Sequence, residues 1–268
     1  MIALVTGATA GIGREIAAKL CAAGATVLIT GRDQQRGAAV AAELGATFLP
    51  ADHATVRGNL DLAQRLREDV SRLDVLVNNV GGGAFATRML TDEGHEATLA
   101  LNYLGPIVLT QALRPVLASD VHIVQVVSSA LTMHTGDPFT EPTPYTAIAA
   151  YAQAKQLNLL ATMSLARQLG VRARVNAVNP GMAWTPGVQA LTPQAVPAWR
   201  YIWPLVRAMQ RRALPEKAAR TPTRLALDPI DTGRFYESRG TAKPLPPRLR
   251  DPALHDRAWR FALSTMEG

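Results

Sequence analysis

The sequence predicts a single-domain α/β protein built on a doubly wound parallel sheet. Short β-rich apolar runs alternate with longer stretches of helical periodicity along the whole chain. Buried strands joined by crossover helices of this kind close into a parallel sheet with helices on both faces. A glycine-rich turn, Thr6-Gly7-Ala8-Thr9-Ala10-Gly11-Ile12-Gly13, joins the first apolar run to the first helical one.

In order along the chain, Ile2 to Thr6, Thr26 to Thr30, Ala46 to Leu49, Val75 to Asn78, His122 to Ser128 and Arg174 to Val178 read as strands. Helices fill the intervals. In the first, Ile12, Ile16, Ala17, Leu20 and Cys21 fall on one face at three- and four-residue steps. A late strand at Arg234 to Tyr236 closes the sheet edge. The Pro-rich stretch Asp137 to Pro144 and a segment at about 184–220 read as insertions at strand C-termini, where such sheets bind ligands. No repeat, low-complexity segment or linker divides the 268 residues into two domains.

The composition, 48% hydrophobic and 18% charged, is that of a folded globule. No apolar run reaches the roughly 18 residues of a membrane span. Cys21 is the one cysteine, which excludes an intramolecular disulfide and any thiolate-rich zinc site. The N-terminus shows no signal-peptide pattern, so a cytoplasmic location is expected. The net charge of +7 is uneven: 14 basic and 14 acidic side chains stand in residues 1–199, against 14 and 7 in residues 200–268. Arginine outnumbers lysine 24 to 4, a coding bias more than a partner signal, and no nucleic-acid motif accompanies the charge. His53, His95, His122, His134 and His255 are scattered without metal-ligand spacing, so no metal is expected.

The glycine turn sits where a phosphate-binding turn must sit, after strand one and opening helix one. The end of strand two, where NAD enzymes offer a carboxylate to the ribose 2′-hydroxyl, carries Gly31 and Arg32 instead. Without that carboxylate a 2′-phosphate meets no repulsion, and Arg32, helped by Arg14, can bond to it. NADP(H) is therefore expected over NAD(H). Asp52 follows strand three, within reach of an adenine amino group, and Asn78-Asn79-Val80-Gly81 ends strand four, where the amides can fix neighbouring loops and flank a cofactor.

Tyr151 and Lys155 leave one helix face a turn apart. An ammonium about 4 Å from a phenol is worth about 4 kcal/mol at an effective dielectric of 20, which predicts a phenol pKa lowered from its reference near 10. Such a phenol can act as acid and base near neutral pH. Ser128-Ser129 ends strand five, and Asn102 lies in the helix between strands four and five.

TGATAGIG, NNVG, Asn102, Ser129 and YAQAK, followed by Asn179-Pro180-Gly181 and Thr185, resemble the short-chain dehydrogenase/reductase family in order and spacing over nearly the whole chain. YAQAKQLNLL and the tail PLPPRLRDPALHDRAWRFAL are more similar to its retinol dehydrogenase-like branch and bacterial relatives. The resemblance implies a Rossmann-type fold and a nicotinamide-dependent oxidoreductase. It implies that Tyr151 exchanges the proton with the substrate oxygen, that Ser129, the second serine of its pair, bonds that oxygen, that Lys155 holds the ribose hydroxyls, and that Asn102 holds a water on the proton path. Gly7, Thr9, Gly11, Ile12, Gly13, Arg14, Arg32, Asp52, Asn79, Gly81, Tyr151, Lys155, Pro180, Gly181 and Thr185 would line the cofactor. Tyr145 is set aside because Ala149 stands four residues on. Val80 and Ala154 depart from the usual alanine and serine, and Tyr103 beside Asn102 has no evident role.

For the substrate, His134, Trp184, Trp199 and Trp203 are the candidates. The aromatic and arginine-rich run from Trp199 to Arg212 reads as a lid over a lipophilic small molecule, as a basic amphipathic membrane-surface contact, or as core packing. Two functions stay open: an NADP(H)-dependent enzyme interconverting a carbonyl and an alcohol, or a cofactor-bearing protein of the same fold without redox chemistry. A homo-oligomer is compatible with either.

Overall fold

In the computed structural model, residues 1–82, 87–185, 210–229 and 231–266 are described, together with Gln189 and Ala208. The elements follow the alternation in the sequence: β1 (Ile2–Val5), α1 (Gly11–Ala22), β2 (Thr26–Gly31), α2 (Gln34–Leu44), β3 (Thr47–Pro50), α3 (Val56–Asp69) and β4 (Leu73–Asn78). Then come α4 (Ala97–Leu99), a π-helical turn (Ala100–Leu104), α5 (Gly105–Ala112), β5 (Leu117–Val126), α6 (Ala147–Leu169) and β6 (Arg174–Val178). After the insertion stand α7 (Pro215–Leu227), β7 (Arg234–Tyr236), β8 (Ala242–Lys243) and α8 (Pro252–Ser264).

The sheet order is β3-β2-β1-β4-β5-β6-β7-β8, parallel up to β7, with β8 antiparallel at the edge. The chain winds outward from β1 in one direction and from β4 in the other, so a crevice opens between their C-terminal ends. The glycine turn and Asn79 meet there. β5 begins at Leu117, five residues before the apolar run that predicts it, because its register against β4 slips between Leu73 and Val75. The slip brings exposed Ser119 and Asp120 into the strand and hides the pattern. β8 pairs only two residues, too few to carry a period.

Helices cover both faces. Along β1, Leu4 packs into one apolar layer with Leu62, Leu76, Leu104 and Leu160, while Ala3 and Val5 pack into the other with Ile16, Leu20, Ile29 and Leu225. α6 lies between the sheet and α8 and is buried almost along its full length, so its polar side chains all need internal partners. Tyr103 finds its role here: its hydroxyl donates to the Ala258 carbonyl of α8 and its ring stacks on Phe261 at 6.2 Å. No helix among the described residues is long and apolar enough to cross a membrane.

Candidate active site

The glycine turn is held from both sides of the crevice. Gly7 and Gly11 adopt φ of +63° and +60°, a region open to glycine and strained for residues with a Cβ. Thr30 on β2 accepts the Gly7 N–H on its hydroxyl at 3.2 Å and the Ala8 N–H on its carbonyl at 3.0 Å. From β4, the Asn79 amide donates to the Thr6 and Gly7 carbonyls at 3.0 and 3.2 Å. Asn79 therefore serves as a brace under the turn. A Cβ on Gly13 would collide with that amide and the Gly7 carbonyl, and one on Gly31 would lie 2.6 Å from Thr9. Ala10 at the N-cap of α1 offers no side-chain acceptor, so the amides of Gly11, Ile12 and Gly13 stay available to an anion. An uncapped helix start behind a bare glycine loop fits a pyrophosphate.

At the ribose end, exposed Arg32 has no hydrogen bond or ion pair among the described residues and is free to meet a phosphate. Arg14 is not: it pairs with Glu15 at 3.0 Å and with Glu43, and these carboxylates hold its guanidinium charge. Glu43, which α2 brings across from 29 residues away, is a partner of Arg14 that the sequence spacing does not show. Asp33, one residue past Arg32, is turned aside to cap α2 at the Arg36 N–H. Asp52 is exposed and caps its own turn at Ala54.

The chemical end is assembled at the C-terminal ends of β4, β5 and β6. Tyr151 stands on the first turns of α6, with Ser128 close enough to favour its charged form, whereas Ser129 is exposed as the first residue of a 3₁₀ turn. β5 ends at Val126, Val127 still bonds to Val178, and Ser128, which caps the turn at Ala130, is the serine of the pair that acts on the Tyr151 phenol, while Ser129 is the one the sequence leads one to expect there. Lys155, 2% exposed, donates to the Val126 carbonyl at 3.0 Å and its Nζ lies 5.7 Å from the centre of the Tyr151 ring.

Burial reverses the expected charge balance of this pair. It pushes the phenol pKa of Tyr151 up, opposed only by the Ser128 bond, and it pulls Lys155 down to about 7. Removal from water outweighs the mutual effect because each charge separately is disfavoured in the interior. Tyr151 therefore holds its proton throughout the neutral range.

Asn102 has its position dictated by Pro106. A proline nitrogen cannot donate to the carbonyl four residues back, so the helix opens into a π turn and the Asn102 carbonyl is freed. The Asn158 amide of α6 takes it at 2.8 Å. The Asn102 side chain accepts from the Gly82 N–H and donates to the Gly82 and Thr98 carbonyls. Gly81 lies in the angle between them: a Cβ there would sit 2.8 Å from Lys155 Nζ and 3.0 Å from Asn102 Oδ1.

After β6, the Asn179 side chain accepts from the Gly181 N–H and donates to Glu237, which fixes Pro180 and Gly181, the latter at φ +83°. Thr185 sits five residues beyond Pro180, and the Trp184 N–H donates to the Ala213 carbonyl at 2.7 Å, closing the neck of the insertion. The Trp184 ring faces Arg211 at 5.9 Å. Trp199 and Trp203 lie outside the described residues. His134 is buried and its Nε2 meets the Asp137 carbonyl at 3.2 Å, a contact that ties its own loop.

Sequence reasoning missed the clamps on that loop. Gln153 donates to the Pro138 and Thr140 carbonyls, and Gln156 to those of Leu131 and His134. The signal was present: two amides flanking Lys155 in an otherwise buried helix must have internal acceptors. Tyr145, set aside on spacing, is engaged by Glu96 at 3.0 Å.

Comparison with known proteins matches the short chain dehydrogenase family to residues 1–195. The chain belongs to the short-chain dehydrogenase family. This short-chain dehydrogenase is similar to a Streptomyces lividans protein named "Probable oxidoreductase", 31% identical over 98% of this chain and 97% of that one. It is 28% identical to human retinol dehydrogenase 13 over 96% of this chain and 81% of the relative. Among solved structures it resembles the Pseudomonas aeruginosa RhlG/NADP active-site complex, with a TM-score of 0.69 and 29% identity over 95% of this chain and 96% of that one. Family membership makes the protein an oxidoreductase, and the retinol dehydrogenase-like features of the sequence accord with the human relative.

Proposed function

We propose that this short-chain dehydrogenase interconverts a ketone or aldehyde and an alcohol with NADP(H). The observation that carries the reading is buried Lys155, one helical turn on from Tyr151, with its Nζ 5.7 Å from the centre of the Tyr151 ring and anchored to the Val126 carbonyl at the end of β5. A nicotinamide cofactor would supply or accept the hydride. Gly7, Gly11, Ile12 and Gly13 would hold its pyrophosphate, Arg32 its 2′-phosphate, Asp52 its adenine, and Lys155 with Tyr151 the ribose beside the nicotinamide. Pro180, Gly181 and Thr185 would flank the ring.

In the reducing direction Tyr151 donates its proton to the substrate oxygen, and a phenol kept protonated by burial suits that step. Ser128 donates a second hydrogen bond to the same oxygen and orients it. Asn102 acts by locking Gly82 and the 81–82 turn against Lys155, which keeps the ammonium site narrow. NADP(H) is favoured by free Arg32 and by the absence of a carboxylate aimed from the end of β2, in keeping with the NADP of the Pseudomonas complex. A lipophilic substrate is favoured by exposed Met133 and Met182 beside the strand ends and by the retinol named for the human relative.

The test is NADPH oxidation with a panel of carbonyls of graded chain length, alongside NADPH and NADH titrations followed by fluorescence. Turnover of long-chain carbonyls with NADPH bound more tightly than NADH is expected. Equal affinity for the two cofactors would refute the reading of Arg32, and no turnover of any carbonyl would refute the reaction.

A further inference from the structure

His53 is buried to 5% exposure just after β3, away from the Tyr151 end, and the chemistry above does not use it. Its Nδ1 lies 2.7 Å from Asn59 Oδ1 and its Nε2 lies 2.6 Å from Thr30 Oγ1. The direction of each bond can be worked out. Asn59 donates its Nδ2 to the Thr55 and His53 carbonyls, which fixes the amide and leaves Oδ1 as the acceptor facing the ring. His53 therefore carries its proton on Nδ1, and Nε2 is a lone pair. Thr30 must then donate its hydroxyl hydrogen to Nε2, which turns its own lone pairs toward the Gly7 N–H at 3.2 Å. The same residue's carbonyl receives the Ala8 N–H.

Two successive amides of the glycine turn thus rest on one threonine whose hydroxyl direction is set from behind by a histidine. We infer that His53 is a positioning residue for the dinucleotide-binding turn, acting through Thr30. The inference rests on the reading that this turn holds a dinucleotide. Burial lowers the His53 pKa and favours the neutral ring that the chain of bonds requires, although the bond to Asn59 and neighbouring Asp52 pull the other way. Asn59, Thr30 and the carbonyls of Thr55 and His53 complete the polar groups bonded to this network.

The experiment compares wild type with His53→Leu, His53→Gln, Thr30→Val and the Thr30→Val/His53→Leu pair, reading NADPH dissociation constants by fluorescence, apoprotein melting temperature and, on wild type, ¹⁵N shifts of the histidine rings. His53→Leu is expected to weaken NADPH about 3- to 10-fold, the effect of one misdirected hydrogen bond. Gln, which can accept from Thr30 and donate to Asn59, should restore most of the affinity. In the Thr30→Val background His53→Leu should add nothing to the NADPH constant, since the effect passes through the hydroxyl. The wild-type ring should show Nδ1 protonated.

Additive losses, or a His53 ring protonated on Nε2, would overturn the inference; the ring measurement needs no variant to fold. Wild type that binds NADPH with His53→Leu unchanged would overturn the inference alone. Wild type that binds neither NADPH nor NADH would overturn the functional reading and the inference with it.

Discussion

Replacing Ser128 by Ala tests the assembly of the site more sharply than any change to a glycine. Ser128 is the serine that acts on the Tyr151 phenol, while Ser129 is exposed. Removing the Ser128 hydroxyl takes, in the transition state, one donor from a substrate oxygen acquiring charge. A charge-assisted bond is worth about 1.5–3 kcal/mol, or about 10- to 100-fold in kcat/KM. Since Ser128 is what opposes the upward push of burial on the phenol, the alkaline limb of the oxidation rate should also move to higher pH in Ser128→Ala. Ser128 caps the following turn at the Ala130 N–H, so Ser128→Thr, which keeps the hydroxyl, serves as the control and should retain most activity. Ser129→Ala should stay within about 0.5 kcal/mol of wild type in stability, as exposed substitutions do, and lose little rate. The assay is NADPH oxidation over pH 6 to 10 with NADPH affinity measured in parallel. A large loss in Ser129→Ala with Ser128→Ala near wild type would refute the placement.

Arg32→Ala should weaken NADPH by about 10- to 100-fold and favour NADH in relative terms, checked by paired fluorescence titrations. Gly81→Ala places a methyl 2.8 Å from Lys155 Nζ and should lower both cofactor affinity and kcat, whereas a change in neither would show that the 81–82 turn yields freely. Lys155 has a folded pKa of about 7 against an ordinary 10.5, so between those values the unfolded chain binds more protons and stability rises with pH, by at most about 1.4 kcal/mol per pH unit. Lys155→Met should flatten that slope in melting temperatures taken from pH 7 to 10. Tyr103→Phe removes the bond to Ala258 on α8 and should lower stability by about 1 kcal/mol with kcat unchanged, read by urea unfolding beside the carbonyl assay.

Local pattern made most of the fold legible. Apolar runs, the glycine turn and the Tyr151–Lys155 spacing are each written within a dozen residues, and the structure keeps all three. What escaped the sequence depends on contacts between distant segments. Ser128 faces Tyr151 because β5 stops at Val126, and no residue type marks that stop. Arg14 is spent on Glu43 because α1 and α2 pack side by side. The expectation that Lys155 would acidify Tyr151 treated two charges at a distance and left out their common removal from water, which pushes the phenol up and the ammonium down. The contact of His134 with the Asp137 carbonyl three residues on could not be read from the residue's position in the loop. The aromatic run around Trp199 and Trp203 lies outside the described residues, so its choice among lid, packing and membrane contact passes to the chain-length panel.

The most direct test of the central claim is Tyr151→Phe, measured for NADPH binding by fluorescence and for carbonyl-dependent NADPH oxidation on the same preparation. The ring, its packing and Lys155 remain while the transferable proton goes. NADPH affinity within a few-fold of wild type together with abolished turnover is the predicted result. Turnover comparable to wild type in the phenylalanine variant would contradict the assignment of Tyr151 as the acid and base.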